Sequence, residues 1–159
     1  QEQFEKAILH YRKSISIMPK LPNPYNNIGN ALRQIGNFDE AVRNFNKAIE
    51  INPNFADAYN NLALTLQKQK KYDQALESYH KALALLANEP KSDSVARYNL
   101  NIGIIRAQTG QLKPAIESME KAATINPSAT SLAFYNLGVV LTNGGLVEEA
   151  IKALSKKIN

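Results

Sequence analysis

The side chains best placed for chemistry in this sequence of 159 residues are amides rather than catalytic groups. The stretch NPYNNIGN, residues 23–30, carries four asparagines where a helix is expected to begin, although asparagine is only a middling helix former. An amide offers both a hydrogen-bond donor and an acceptor, so it can bond to a peptide backbone without reading that peptide's side chains. These asparagines are therefore candidates for a binding surface.

Catalytic and metal-binding combinations are not visible in the sequence. It contains no cysteine, which excludes disulfides and thiolate ligands, and its two histidines, His10 and His80, are far apart. We find no glycine-rich phosphate loop, no nucleophile with a neighbouring base and no converging set of carboxylates. We therefore predict that the chain is not an enzyme and that it binds no cofactor and no metal.

Charge and hydropathy narrow the choice of partner. The net charge is +5, but the 19 basic and 14 acidic residues are interspersed, and the densest basic run, KQKK at residues 68–71, falls where a helix should end. No apolar run approaches the roughly 20 residues that cross a bilayer. We therefore predict a soluble, cytoplasmic protein whose partner is a protein or peptide, and not nucleic acid or a membrane.

A repeat of 34 residues organises the chain. NNIGNALRQIGNFDEAVRNFNKAIEINP, residues 26–53, recurs as NNLALTLQKQKKYDQALESYHKALALLA, residues 60–87, and further copies begin at residues 100 and 135. Small residues recur in each copy at two places, twelve residues apart: Gly29, Ala63, Gly103 and Gly138, then Ala41, Ala75, Ala115 and Ala150. Residues 1–20 match only the second half of a copy.

Each copy is predicted to form two short antiparallel helices. Apolar residues recur with helical period in the first half, as at Tyr25, Ile28 and Leu32, and again between Phe38 and Ile49. A turn separates the halves, and the INP sequence ends the unit at two junctions. The matched small residues let the two backbones approach closely, and one pair cannot bury its apolar stripe alone, so successive pairs must stack.

This pattern of aromatic, leucine and small residues, followed by alanine, phenylalanine or tyrosine, alanine and proline, resembles the tetratricopeptide repeat over nearly the whole chain. The resemblance implies an all-α, right-handed superhelical solenoid of antiparallel helix pairs whose first helices line a concave groove that binds peptides or protein segments. The predicted units are residues 1–20, the second helix of a partial repeat, then 22–55, 56–89, an insertion at 90–95, 96–129 and 130–159. We expect the chain to be a fragment of a longer protein.

The insertion NEPKSD breaks the regular spacing after Ala87, which replaces the expected proline. Two arrangements fit it: a longer loop, or an extended helix capped by Ser92 or Asp93.

One column of asparagines is in register with the repeat. An asparagine precedes each first small residue by two positions, about 200° around the helix, and so points away from the unit's own second helix. The column is similar to that in the repeat domain of O-linked N-acetylglucosamine transferase, which implies that it grips the backbone of an extended peptide. The alternative is that these amides bond a neighbouring helix or water. The column consists of Asn27, Asn61, Asn101 and Asn136.

Two flanking columns are candidate side-chain pockets because both change from amide to apolar along the chain. One contains Asn30, Leu64, Ile104 and Val139, and the other contains Asn26, Asn60, Leu100 and Tyr135. The alternative is that the next repeats, or another segment of the parent protein, cover the apolar C-terminal end of these columns. Arg97, with Arg33 and Lys68, is a candidate contact for an acidic ligand.

The family's clamp for chaperone tails is not expected here. Asn30 and Asn61 match the clamp's asparagines and Arg97 stands for one of its lysines, but Asn26 and Asn101 replace its other lysine and its arginine.

Two further functions stay open. The first predicted helix, about Phe4 to Ile17, lacks its own partner and leaves an apolar edge, which favours a structural module that forms homo-oligomers through end helices. The second possibility is that the chain is a regulatory or targeting arm of an enzyme whose catalytic domain lies outside it.

Overall fold

The computed structural model describes residues 2–126 and the single positions 135, 138, 139 and 142. Within these residues the structure contains seven helices and no strand, which confirms the all-α prediction of antiparallel helix pairs. The helices are α1 (Glu2–Ile17), α2 (Pro22–Gln34), α3 (Phe38–Ile51), α4 (Ala56–Lys68), α5 (Tyr72–Leu85), α6 (Asp93–Gln108) and α7 (Leu112–Ile125).

The chain forms two compact units, Gln1–Leu86 and Ala87–Asn159. In the first unit α2 packs on α3 and α4 packs on α5, while α1 packs on α2, α3 on α4, and α2 also touches α4. In the second unit α6 packs on α7. The helices of each unit therefore pack mainly on helices that are adjacent in sequence.

The helix starts follow the sequence signals. Pro22 opens α2, where its missing N–H costs nothing. Asn37 caps α3 by accepting from the Glu40 N–H at 3.4 Å and by donating to Glu40 Oε2 at 2.9 Å. Ser92 Oγ caps α6 by accepting from the Val95 N–H at 3.4 Å. At the insertion the structure therefore shows the extended helix, because α6 has 16 residues and α2 and α4 have 13 each.

The turn inside each described pair has one geometry. Its central residue has a positive φ, which is 82° at Gly36, 60° at Lys70 and 76° at Gly110. The next N–H in each turn donates back to a carbonyl of the first helix, as from Asn37 to Leu32 O at 2.9 Å. These are the hydrogen bonds of a Schellman end, which favours glycine at the left-handed position. Lys70 shows that the second pair tolerates a side chain there.

Close helix approach inside the pairs explains the small residues at the first of the two matched places. A Cβ added to Gly29 would lie 2.6 Å from Phe45 Cε1, and one added to Gly103 would lie 2.7 Å from Met119 Cγ. Both large side chains are fully buried. The bulky residue of the second helix thus fills the space that the small residue of the first helix leaves, as the sequence predicts.

No helix in residues 2–126, or at the four isolated positions, has the length and apolar character needed to cross a membrane.

Candidate functional site

The surface that carries the predicted binding residues in the first unit is built by α2 and α4. Both helices are antiparallel to α3 and therefore run in the same direction, and they touch each other. The first-helix surface is the name used below for one side of α2 and α4. It presents Asn27, Asn30, Arg33, Asn61 and Lys68. Of these side chains Lys68 is exposed, and the other four are half-buried.

The asparagine column divides into two kinds of residue. The half-buried amides of Asn27 and Asn101 make no hydrogen bond to any side chain or backbone group that the structure describes. Asn61 is different, because its Nδ2 donates to Asn26 Oδ1 at 3.0 Å, which links α4 to α2. Asn136 lies outside the described residues. Two of the three described members therefore have side-chain amides that no described group engages.

The side chains of the flanking column that begins with Asn26 are too buried to line a pocket. Asn26 is 8% exposed, Asn60 6% and Leu100 7%. Asn60 Nδ2 donates to Asn61 Oδ1 at 3.4 Å, and Asn60 Oδ1 is buried without a partner. Burial leaves little of these side chains for a ligand, and the structure uses Asn26 and Asn60 to surround Asn61 with amides.

The predicted apolar positions are at least partly open to solvent. Leu64 in α4 and Ile104 in α6 are half-buried. Tyr135 and Val139 are 68% and 43% exposed. Because Leu64 belongs to the first unit and the others to the second, each is a candidate contact within its own unit.

Arg97 is exposed near the start of α6. Its guanidinium lies over the Tyr98 ring, 5.6 Å from the ring centre, and its Nη2 donates to Ser94 Oγ at 3.4 Å. These contacts hold the side chain against its own helix and leave its charge accessible to an anion.

Arg33 is the cation with the least favourable surroundings on the first-helix surface. Its Nη2 donates to Asn30 Oδ1 at 3.2 Å, but its Nε is buried and has no partner. Burial lowers the pKa of Arg33, and the electrostatic influence of Tyr79 partly opposes that change. No carboxylate of the described residues forms an ion pair with it.

Sequence reasoning missed Arg106 in α6. It occupies the place that Leu32 and Leu66 fill in the earlier repeats, and it is half-buried. Its Nη1 donates to Ser118 Oγ at 2.7 Å and to Pro114 O at 3.4 Å, which ties α6 to α7. The signal was present as a break in an otherwise apolar column.

The chemistry that this surface offers is hydrogen bonding and charge. Residues 2–126 hold no group of three or more histidine, cysteine, aspartate or glutamate side chains that could bind a metal ion. Neutral amides and an unpaired guanidinium can bind peptide groups and anions.

Comparison with known structures supports the fold. MamA 41-end from Desulfovibrio magneticus RS-1 is 25% identical with a TM-score of 0.81, over 96% of this chain and 82% of its own. BtubC (BKLC) from P. vanneervenii is 22% identical with a TM-score of 0.83, over 97% of this chain and 71% of its own. The APC/C hetero-tetramer Cut9-Hcn1 is 22% identical with a TM-score of 0.76, over 96% of this chain and 28% of that chain.

Family comparison gives the identity of the repeat. No curated protein sequence matches the chain significantly. The family model described as "Tetratricopeptide repeat" matches residues 54–128, and the one described as "TPR repeat" matches residues 29–70. Together the matches span more than half of the chain and confirm the resemblance of its repeats. The chain belongs to the tetratricopeptide repeat family.

Proposed function

We propose that the protein is a non-catalytic scaffold that binds an extended peptide or protein segment on the side of its first helices, through the asparagine column. The observation that carries this proposal is the pair of half-buried amides, Asn27 and Asn101, which have no hydrogen-bond partner among the described residues. Membership of a family of protein-interaction scaffolds supports the general role.

Side-chain amides suit an extended chain. The peptide backbone presents N–H and C=O groups at regular intervals, and each asparagine can donate to one and accept from the other. Each such bond contributes about 0.5–1.5 kcal/mol net, and association itself costs several kcal/mol. The column alone therefore gives weak binding, and side-chain contacts must supply specificity.

Asn61 remains able to take part although it is already bonded to Asn26. Its Nδ2 carries two hydrogens and its Oδ1 has two lone pairs, of which the protein uses one each. The bonds to Asn26 and Asn60 fix the plane of the Asn61 amide. This preorganisation reduces the entropy that a ligand must remove from the side chain.

The test selects ligands from a displayed library of random 12-residue peptides, using the wild-type chain as bait. Selected peptides are then measured by fluorescence anisotropy against wild type, Asn27→Ala, Asn101→Ala and the control Asn46→Ala, which changes an exposed asparagine of α3. We expect Asn27→Ala or Asn101→Ala to weaken binding about threefold to tenfold, and Asn46→Ala to leave it unchanged. Equal affinity of all four proteins for every selected peptide contradicts the role of the column.

A second candidate, self-association through α1, is favoured by a separate observation. Only Ile8 of α1 is buried, whereas Leu9 and Ile17 are each 69% exposed and Met18, just after the helix, is 55% exposed. Light scattering over a concentration series tests this function. An oligomer that Leu9→Glu with Ile17→Glu converts to monomers supports it, and a wild-type monomer at all concentrations rejects it.

A further inference from the structure

The arrangement of charge on the first-helix surface is one-sided. The sequence of α2 contains one charged residue, Arg33, and no acid. In α4 the only acid, Asp57, lies in the first turn, and the only base, Lys68, lies in the last. The ends of α2 and α4 that carry Arg33 and Lys68 thus contribute only positive charge themselves, and the nearest acid that the structure shows there is Asp39 of α3, which accepts from Gln69 Nε2 at 2.7 Å.

The register of the two helices brings these cations to the same level. Asn26 of α2 and Asn61 of α4 are joined at 3.0 Å, and the helices run in the same direction. Arg33 and Lys68 each follow their joined asparagine by seven residues, which is two helical turns. They therefore lie at the same level on adjacent helices.

Arg33 is half-buried, and the burial of its Nε is not compensated within the described residues. Its guanidinium stays charged at any working pH, and a buried charge is costly unless it is paired and fully hydrogen-bonded. Asn30 supplies one neutral acceptor, but Nε has none and no carboxylate pairs with the group. The helix dipole favours a cation at this end of α2, yet this effect does not require the side chain to be buried.

We propose that the first-helix surface receives a carboxylate of the bound peptide at Arg33, with Lys68 as the second positive contact and Asn30 as the residue that orients the guanidinium. This inference rests on the proposed peptide-binding function and adds the chemistry of the ligand. The carboxylate belongs either to an aspartate or glutamate side chain or to the C-terminus of the peptide. Asn30 corresponds to an asparagine of the chaperone-tail clamp, but neither Arg33 nor Lys68 matches a residue of that clamp, so the positive charges of this site stand at other positions.

The experiment uses the peptides that wild type selects from a library of random 12-residue peptides with free C-termini. Each selected peptide is remade in two neutralised forms, one with its acids changed to the corresponding amides and one with an amidated C-terminus. The three forms are measured against wild type, Arg33→Gln, Arg33→Lys and Arg43→Gln. Arg43 is an exposed arginine of α3 and controls for the loss of one positive charge.

We expect one of the two neutralised forms to bind wild type and Arg43→Gln about tenfold more weakly, as loss of a charged hydrogen bond would do. Which form loses affinity identifies the source of the carboxylate. With Arg33→Gln the parent and neutralised peptides should bind alike, and Arg33→Lys should restore part of the difference because it keeps the charge. Lys68→Gln, an exposed change that leaves the packing intact, should reduce the difference less than Arg33→Gln does.

Two results would overturn the inference while leaving peptide binding in place. One is that both neutralised forms bind wild type as tightly as the parent peptide does. This result is obtained with the wild-type protein alone and does not depend on the folding of any variant. The other is that neutralisation weakens binding equally in wild type and in an Arg33→Gln protein whose circular dichroism is unchanged. If wild type selects no peptide at all, the proposed function fails and this inference fails with it.

Discussion

Gly29→Ala tests whether the first helix pair is packed as tightly as its geometry indicates. The new methyl carbon would lie 2.6–2.8 Å from three atoms of the Phe45 ring, whereas ordinary contacts are 3.4–4 Å. Phe45 has no exposed surface, so its ring has no free space into which it can move. Such overpacking costs about 1–3 kcal/mol, and here the clash falls at the upper end of that range.

An opposing term must be subtracted, because alanine is the better helix former by about 1 kcal/mol. We therefore expect Gly29→Ala to lower the free energy of unfolding by about 1–2 kcal/mol in total. The measurement is urea denaturation followed by far-UV circular dichroism, fitted with a repeat-by-repeat treatment because neighbouring helix pairs unfold semi-independently.

Further variants separate packing from propensity. Asn46→Ala and Asn46→Gly, compared with each other at an exposed site inside α3, measure the propensity difference alone in this protein. In a Phe45→Leu background, where the ring is gone, Gly29→Ala should cost less than in wild type, and the difference is the coupling energy. If Gly29→Ala instead stabilises the wild-type protein by the amount that separates Asn46→Ala from Asn46→Gly, the close approach of α2 and α3 is refuted.

Three other predictions concern a helix cap, an exposed ion pair and the half-buried Arg106. Ser92→Ala should lower the free energy of unfolding by about 1 kcal/mol in thermal or urea melts, because α6 loses its side-chain cap. The hydrogen bond from Lys81 and then its charge lower the pKa of Glu77, so the pair's stabilising effect is present above the unfolded pKa of Glu77 and is lost as the pH falls through the folded one. Lys81→Met should return the pKa of Glu77 to its ordinary value in an NMR titration of the carboxyl group. Arg106→Leu should leave the melting temperature unchanged or raise it, because leucine fills this place in the earlier repeats, and a fall would show that the bonds to α7 matter more.

The repeating part of the fold could be predicted from sequence because each rule acts within one helix pair. The spacing from Gly29 to Ala41 reports a close helix approach, and the periodic apolar residues report which face packs. The cap at Ser92 could be named as one of two possibilities, since a capping residue acts on its own first turn. Because the pattern occurs in four copies, the same helix pair is predicted independently from each copy, and the four predictions can be compared.

The chemistry between neighbouring pairs could not be predicted in the same way. The angular argument for the asparagine column indicates that Asn61 points away from α5, but it does not say that Asn26 of the preceding repeat lies within hydrogen-bonding distance. Which side chains meet across α2 and α4 depends on the distance and stagger of two helices that are 34 residues apart in the repeat pattern. The burial of Asn60 and Arg33 depends on the same geometry, and it is therefore seen only in the structure.

The sparse burial of α1 has a consequence for the order in which the first unit exchanges its amide hydrogens with solvent. This helix contacts α2 and buries one residue, whereas α2 buries six and is held by α1, α3 and α4. Opening of α1 therefore breaks few apolar contacts, and its amides should exchange at a low local free energy while those of α2 to α5 stay protected. The unit is thus graded along its length, with a readily opened end beside a slowly exchanging interior.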